Sequence, residues 1–167
     1  MGGGSKFARA FRRCRTLVFV FSAAFVLLLL DQLTKAWADR ALNGTDGICV
    51  VPHLFNLYFV PNRGCAWGLF QGSVLPLAVF AMLAFATLLW KRRTIFGEGR
   101  VAFATETLLY AGIIGNLVDR LARGFVVDFL DFHWYAHHFP VFNCADVYIS
   151  VAAGLLLLSS FLQKRKA

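Results

Sequence analysis

The chain has 167 residues, 59% of them hydrophobic, and a mean hydropathy of +0.64. Its apolar residues come in long runs rather than at amphipathic spacing, which excludes an ordinary soluble domain and leaves no length for a second one. The net charge of +8 does not point to nucleic acid, because the basic residues gather at the ends of the apolar runs.

A bilayer core takes roughly 20 residues of helix, and four segments qualify. The first runs from about Thr16 to Trp37 and carries a polar outer end, Asp31-Gln32-Leu33-Thr34-Lys35. Its basic start mimics a secretory signal peptide, but no small-residue cleavage site follows, so it is expected to be a retained helix. Asp31 and Lys35, four apart, suit a local ion pair. The outer segment 39–72 comes next, with a β-prone run from His53 to Val60 closed by Pro61. Asn62-Arg63-Gly64 reads as a turn; equally, Asn62 has an amide to offer a substrate backbone.

The second span is Ser73 to Trp90. The third runs from Val101 to Val118, interrupted only by Glu106. At its end lie Asn116, Asp119, Arg120 and Arg123; Asn116 and Arg120 share a helix face if the helix continues that far. Gly112 and Gly115 permit close approach of another helix. Arg120 is placed to orient a carboxylate or a substrate carbonyl, or is simply an interfacial charge. The second outer segment, 119–144, holds the β-prone run Phe125 to Phe132, and the fourth span is about Ala145 to Leu162.

Orientation follows from charge. Twelve of the seventeen Lys and Arg lie before the first span, between the second and third, or after the fourth. The positive-inside rule then places both termini in the cytoplasm. Seven of the nine acids fall at or beyond the outer span ends. The expected fold is one all-α membrane domain, residues 1–167, with four transmembrane helices and a small extracytoplasmic β element.

Ionisable groups near membrane depth are costly and are functional candidates by default. Asp128 follows the third span among apolar neighbours, and Asp146 starts the fourth. Brought together, two carboxylates share one proton, and such a pair performs general acid–base hydrolysis with water. Asn143 as N-cap would put Asp146 in the first helical turn, where the dipole favours its charged form. Apolar neighbours favour the protonated form of Asp128, so Asp146 is the expected base. The plainer reading, a helix-start acid and a surface-loop acid, stays open on spacing alone.

His133, His137 and His138, with Asp128 and Asp131 nearby, supply zinc-ligand types, but HExxH is absent and the segment reads as an aromatic interfacial loop. No metal or other cofactor is expected. No Ser has a Gly-x-Ser-x-Gly setting. Cys49 and Cys65 would pair only if both face an oxidising compartment. A proton-coupled transporter would need acids nearer the mid-membrane, and a structural subunit gives the Asn/Asp/Arg clusters no reason.

Five motifs in order resemble those of the bacterial lipoprotein signal peptidases, or signal peptidase II. They are Asp31-Gln32-Leu33-Thr34-Lys35, Asn62-Arg63-Gly64-Cys65-Ala66-Trp67, Gly115-Asn116-Leu117-Val118-Asp119-Arg120, Val126-Val127-Asp128-Phe129 and Phe142-Asn143-Cys144-Ala145-Asp146. The resemblance implies an inner-membrane aspartic endopeptidase with Asp128 and Asp146 as its pair and its active site on the extracytoplasmic side. Its substrates would be prolipoproteins with a diacylglyceryl-modified cysteine, cut just before that cysteine. Asp31, Lys35, Asn62, Gly64, Asn116, Asp119, Arg120, Asn143 and Ala145 would support the site or contact substrate. Membrane lipids and a globomycin-type inhibitor would be further partners, and a monomer is expected. The family usually reads Asn-x-Gly-Ala-Ala-Phe at the second motif, so Cys65 and Trp67 alter size at a substrate-facing turn.

Overall fold

In a computed structural model, residues 3–65 and 69–164 are described; Ala66 and Trp67 of the second motif, and Arg165 and Lys166 of the terminal basic group, lie outside them. The elements in order are α1 (Gly3–Leu42), β1 (Ile48–Val51), β2 (Phe55–Asn62), α2 (Val74–Trp90), α3 (Arg92–Phe96), α4 (Arg100–Arg123), β3 (Val126–Trp134), β4 (His137–His138) and α5 (Cys144–Lys164).

Burial is inverted relative to a soluble protein. Phe19, Phe25, Leu33, Phe80, Leu83, Leu157 and Phe161 are exposed, while Asp31, Lys35, Glu106, Asn116, Asp119 and Asn143 are buried. Apolar side chains outside and polar ones inside suit a bundle solvated by lipid, where polar groups must find partners within the protein. Among the described residues, three helices are long and apolar enough to cross a membrane: α1 from Arg15, α4 and α5. The expected second span is the shorter apolar α2, with 17 residues.

α4 is the central helix, packed on α1, α2 and α5. Tyr110 fills the middle of the bundle, stacked on Phe21 and edge-on to Phe85 and Phe96. Glycines on α4 set the approach of α5 and α1. A Cβ on Gly112 would lie 2.6 Å from the Ala145 carbonyl oxygen, and one on Gly115 would lie 2.5 Å from Asp31 Oδ2. At its other end, α4 carries Glu106, whose Oε2 accepts from Arg92 Nη2 at 2.7 Å. The interruption of the third span is thus a neutralised pair, and Arg92 is more than a topological charge.

The sheet, ordered β1-β2-β3-β4 and antiparallel, sits on the C-terminal end of α1. Ala38 and Leu42 of α1 pack with Val127 and Phe129, supported by Leu57 and Phe59. Strand alternation therefore sends Asp128 to the opposite face from Val127 and Phe129. Gly124, at φ 74°, ends α4 in the left-handed conformation and turns the chain into β3.

Several boundaries differ from the sequence reading. α1 is continuous through Asp31–Lys35 and on to Leu42, so residues 39–42 are helical rather than part of an outer loop. α4 continues to Arg123, which puts Asp119 and Arg120 on helix and not in the second outer segment. β2 does not stop at Pro61: Pro61 pairs with Val127 and Asn62 with Val126. The proline is tolerated because β1 reaches only residues 55–57, leaving β2 an edge strand there. The aromatic segment after β3 forms a short hairpin, Trp134 opposite His137. Cys49, Cys65 and Cys144 form no disulfide.

Gly112→Ala should destabilise the fold by about 1–3 kcal/mol, the usual range for overpacking, because the neighbouring backbone carbonyl cannot rotate away. Gly154→Ala, which meets open space, should leave the melting temperature in detergent essentially unchanged. Equal melting temperatures for the two variants would refute this packing account.

Candidate active site

Three connections bring the chemistry-bearing residues to the sheet-bearing end of the bundle. The first is strand pairing. β2 and β3 place Val60 opposite Asp128, and Asn62, further along β2, donates from Nδ2 to Asp128 Oδ2 at 2.9 Å. The Asn62 amide can point only one way, because its Oδ1 accepts the Gly64 N–H at 2.9 Å and a backbone N–H only donates. Gly64 is buried against the Leu69 carbonyl, where a Cβ would clash. Arg120 binds the Gly64 carbonyl at 3.2 Å and the Asn116 carbonyl at 3.4 Å, which steadies this turn, and its charge also interacts with Asp146 and Asp128.

The second connection docks the start of α5 on β3. Phe129 and Leu130 both donate to the Phe142 carbonyl, and Phe142 donates to the Leu130 carbonyl. Asn143 then caps α5: its Oδ1 accepts the Asp146 N–H at 3.1 Å, and its own N–H donates to Asp146 Oδ2 at 3.2 Å. This reciprocal arrangement is a capping box with Asn and Asp in the usual places of Ser/Thr and Glu/Gln. With Oδ1 committed to a backbone donor, Asn143 Nδ2 faces Asp128 Oδ1 at 2.6 Å. Asn143 therefore touches both carboxylates. Asn116 completes the set, donating from Nδ2 to Asp146 Oδ1 at 2.7 Å.

The third connection is ionic and fully enclosed. Lys35 Nζ lies 2.9 Å from Asp31 Oδ2 and 3.1 Å from Asp119 Oδ2, with none of the three side chains exposed. Asp31 Oδ1 accepts the N–H of Ala145, an otherwise orphaned donor in the first turn of α5. Asp119 accepts the Val127 N–H at 3.1 Å and pairs with Arg123 at 2.8 Å. Charge at this depth thus ties α1, α4, β3 and α5 together.

The structure accordingly gathers the eleven residues named for the two-aspartate site into one connected cluster. It adds Gln32 and gives Arg123, already named with the end of the third span, a partner. Gln32 Nε2 lies 3.2 Å from each of Asp31 Oδ2, the Gly115 carbonyl and Asp119 Oδ1. Arg123 neutralises Asp119, and its i,i+4 spacing was the signal for that pair. Asp131, by contrast, stays out of the cluster, bonded to Asn56 and His138.

Asp128 is 2% exposed. Burial, and secondarily the nearby Asp146 carboxylate, push its acid up to about 7 against the opposing hydrogen bonds of Asn62 and Asn143 and the charge of Lys35. A polar pair of carboxylates, held by three amides where apolar helices meet a small sheet, is an arrangement for moving protons to and from a bound group.

Residues 23–162 match the sequence pattern of the signal peptidase (SPase) II family. The chain belongs to that family. Among its relatives, a lipoprotein signal peptidase of Shewanella loihica is 41% identical over 84% of this chain and 85% of its own. One of Syntrophotalea carbinolica is 38% identical over 83% and 88%. A bacterial membrane enzyme solved by the in meso method superimposes with a TM-score of 0.73, at 26% identity, over 87% of this chain and 89% of its own. As a member of the signal peptidase II family the chain is a peptidase, and its apolar helices and membrane-enzyme neighbour place it in the membrane.

The raised pKa of Asp128 makes stability depend on pH. The native state keeps a proton that the unfolded chain releases near 3.8, so this group favours folding below that pH and loses its contribution as pH rises through about 7. In infrared difference spectra, a carboxylic-acid carbonyl band should therefore be present below pH 7, fade above it, and be missing from Asp128→Asn. A band that persists in Asp128→Asn would assign the proton elsewhere.

Proposed function

We propose that this peptidase removes the signal peptide from diacylglyceryl-modified prolipoproteins, cutting just before the lipidated cysteine with a water molecule activated between Asp128 and Asp146. The observation that carries this reading is the pair itself. Asn143 bonds both carboxylates, and Asn62 and Asn116 each take one more of their oxygens. Each of the four oxygens keeps a lone pair for water, substrate or a proton.

The roles follow from environment. Asp146 sits in the first turn of α5, where the helix dipole favours its anion, and acts as base. Asp128 holds the proton. Water attacks the scissile carbonyl carbon and gives a proton to Asp146, while Asp128 protonates the carbonyl oxygen to form a gem-diol. On collapse the C–N bond breaks, Asp146 returns its proton to the departing amine, and Asp128 recovers one from a gem-diol hydroxyl. The products are a carboxyl-terminated signal peptide and a free amine on the lipidated cysteine.

The whole chain serves as one membrane domain in this reading. α2, at 17 residues, reaches the lower limit of a span, and four spans put both termini in the cytoplasm by the positive-inside rule. The pair then faces the extracytoplasmic side of the bacterial inner membrane, where a lipid-anchored substrate arrives sideways through the bilayer. A cavity of about 580 Å³ runs along β2, lined by Asn56, Tyr58, Val60 and Asp131. A monomer suffices, membrane lipids surround it, and globomycin would compete with the substrate.

The test is cleavage of a diacylglyceryl-modified prolipoprotein by the purified enzyme. Wild type should cut it, stop with globomycin and be indifferent to EDTA. Asp128→Asn and Asp146→Asn should each lose about 10²–10⁴-fold, the range for a general acid or base, while remaining folded. Activity should decline as pH rises through about 7, since Asp128 must start protonated. Undiminished cleavage by either folded variant would overturn the reading.

A further inference from the structure

We propose that Lys35 is a positioning residue for the carboxylate pair, acting through the amide of Asn116. This rests on the reading of Asp128 and Asp146 as the reacting pair and adds to it a residue that touches neither.

The chain of contacts is short. Lys35 Nζ donates to Asn116 Oδ1 at 3.0 Å within the buried interior. An ammonium only donates, so the Asn116 oxygen is held toward Lys35 and the amide NH₂ is delivered to Asp146 Oδ1 at 2.7 Å. The same oxygen also accepts from Asn143 Nδ2 at 3.2 Å, and Asn143 Nδ2 is the group that donates to Asp128 at 2.6 Å. One ammonium therefore terminates a hydrogen-bonded relay that reaches both carboxylates, and such relays polarise along their length. Lys35 also places a positive charge one amide away from the pair, and that charge favours the ionised form of Asp128.

A structural role alone would be met by neutralisation. The buried cluster holds two cations, Lys35 and Arg123, and two anions, Asp31 and Asp119. Removing Lys35 and the charge of Asp31 together keeps the cluster neutral and leaves Asp119 with Arg123. In Asp31→Asn the side-chain amide oxygen still accepts the Ala145 N–H that the carboxylate accepts in the wild type. What the double change does remove is the donor on Asn116. A lysine kept only to balance Asp31 would be dispensable in that background.

The experiment compares Lys35→Met/Asp31→Asn with Asp31→Asn alone, on a lipidated prolipoprotein, with melting temperature measured in parallel. The double variant should show kcat lower by about 10²-fold, the penalty for small misplacement of reacting groups, with KM little changed. The alkaline limb of its pH profile should move to higher pH, because Asp128 keeps its proton longer without the nearby cation. Adding Asn116→Ala to both should produce no further loss in the Lys35→Met background, since residues acting in series are not additive. A folded double variant that matches Asp31→Asn in kcat and pH profile, or a fully additive effect of Asn116→Ala, overturns the proposal. If the Met form does not fold, Lys35→Gln/Asp31→Asn keeps a neutral donor at Asn116. It should show the pH displacement in full, and a profile superimposable on that of Asp31→Asn decides against Lys35. Retained cleavage by Asp128→Asn would instead sink the underlying two-aspartate reading, whatever Lys35 does.

Discussion

A lysine fully enclosed in a lipid-solvated bundle is the constraint from which much of the architecture follows. Breaking a buried pair leaves an uncompensated charge, at a cost of about 3–5 kcal/mol, so Lys35 must keep its partners in place. Those partners come from α1 and α4, and one of them, Asp31, reaches on to the first turn of α5. The cluster thus sets the depth at which three helices meet. Gly115 shows the demand from the other side, because any side chain there would collide with the Asp31 carboxylate.

The sheet solves a second problem, that of bringing two carboxylates together against their repulsion. Asp128 is fixed by its strand, with Val127 and Phe129 anchored on α1. Asp146 is fixed by its helix cap. The joint between them is Phe142, whose backbone pairs with β3 just before α5 begins. Asn143 follows immediately and bonds both acids. The separation of the pair is therefore decided by backbone hydrogen bonds and one amide, not by flexible side chains.

Much of this was legible in the sequence, and the gaps have physical reasons. Long apolar runs and the charge at their ends revealed the helices, since hydropathy is a property of segments. The residues around the pair were legible as polar interruptions, which lipid does not tolerate without cause. Helix ends were not: Asp119 and Arg120 carry charge that resembles a loop, but Asp119 is neutralised by Arg123 on its own helix and by Lys35 on another. The continuation of β2 through Pro61 depends on β1 being short, which no local signal records. The Arg92–Glu106 pair joins residues fourteen apart on separate helices, and Gln32 acts through contacts with α4. Both are tertiary facts.

The two aspartates differ because the elements presenting them differ. A strand buried between apolar neighbours withholds water from Asp128, and the nearby Asp146 adds repulsion, so the proton stays on β3 until near neutral pH. Asp146 instead stands at a helix start, its oxygens bonded by the Asn143 N–H and the Asn116 amide. The contrast between the two carboxylates is therefore one of secondary structure, strand against helix start. This also accounts for the site's place at the end of the bundle, where a sheet edge, a helix start and interfacial water can meet without carrying an unpaired charge into the bilayer.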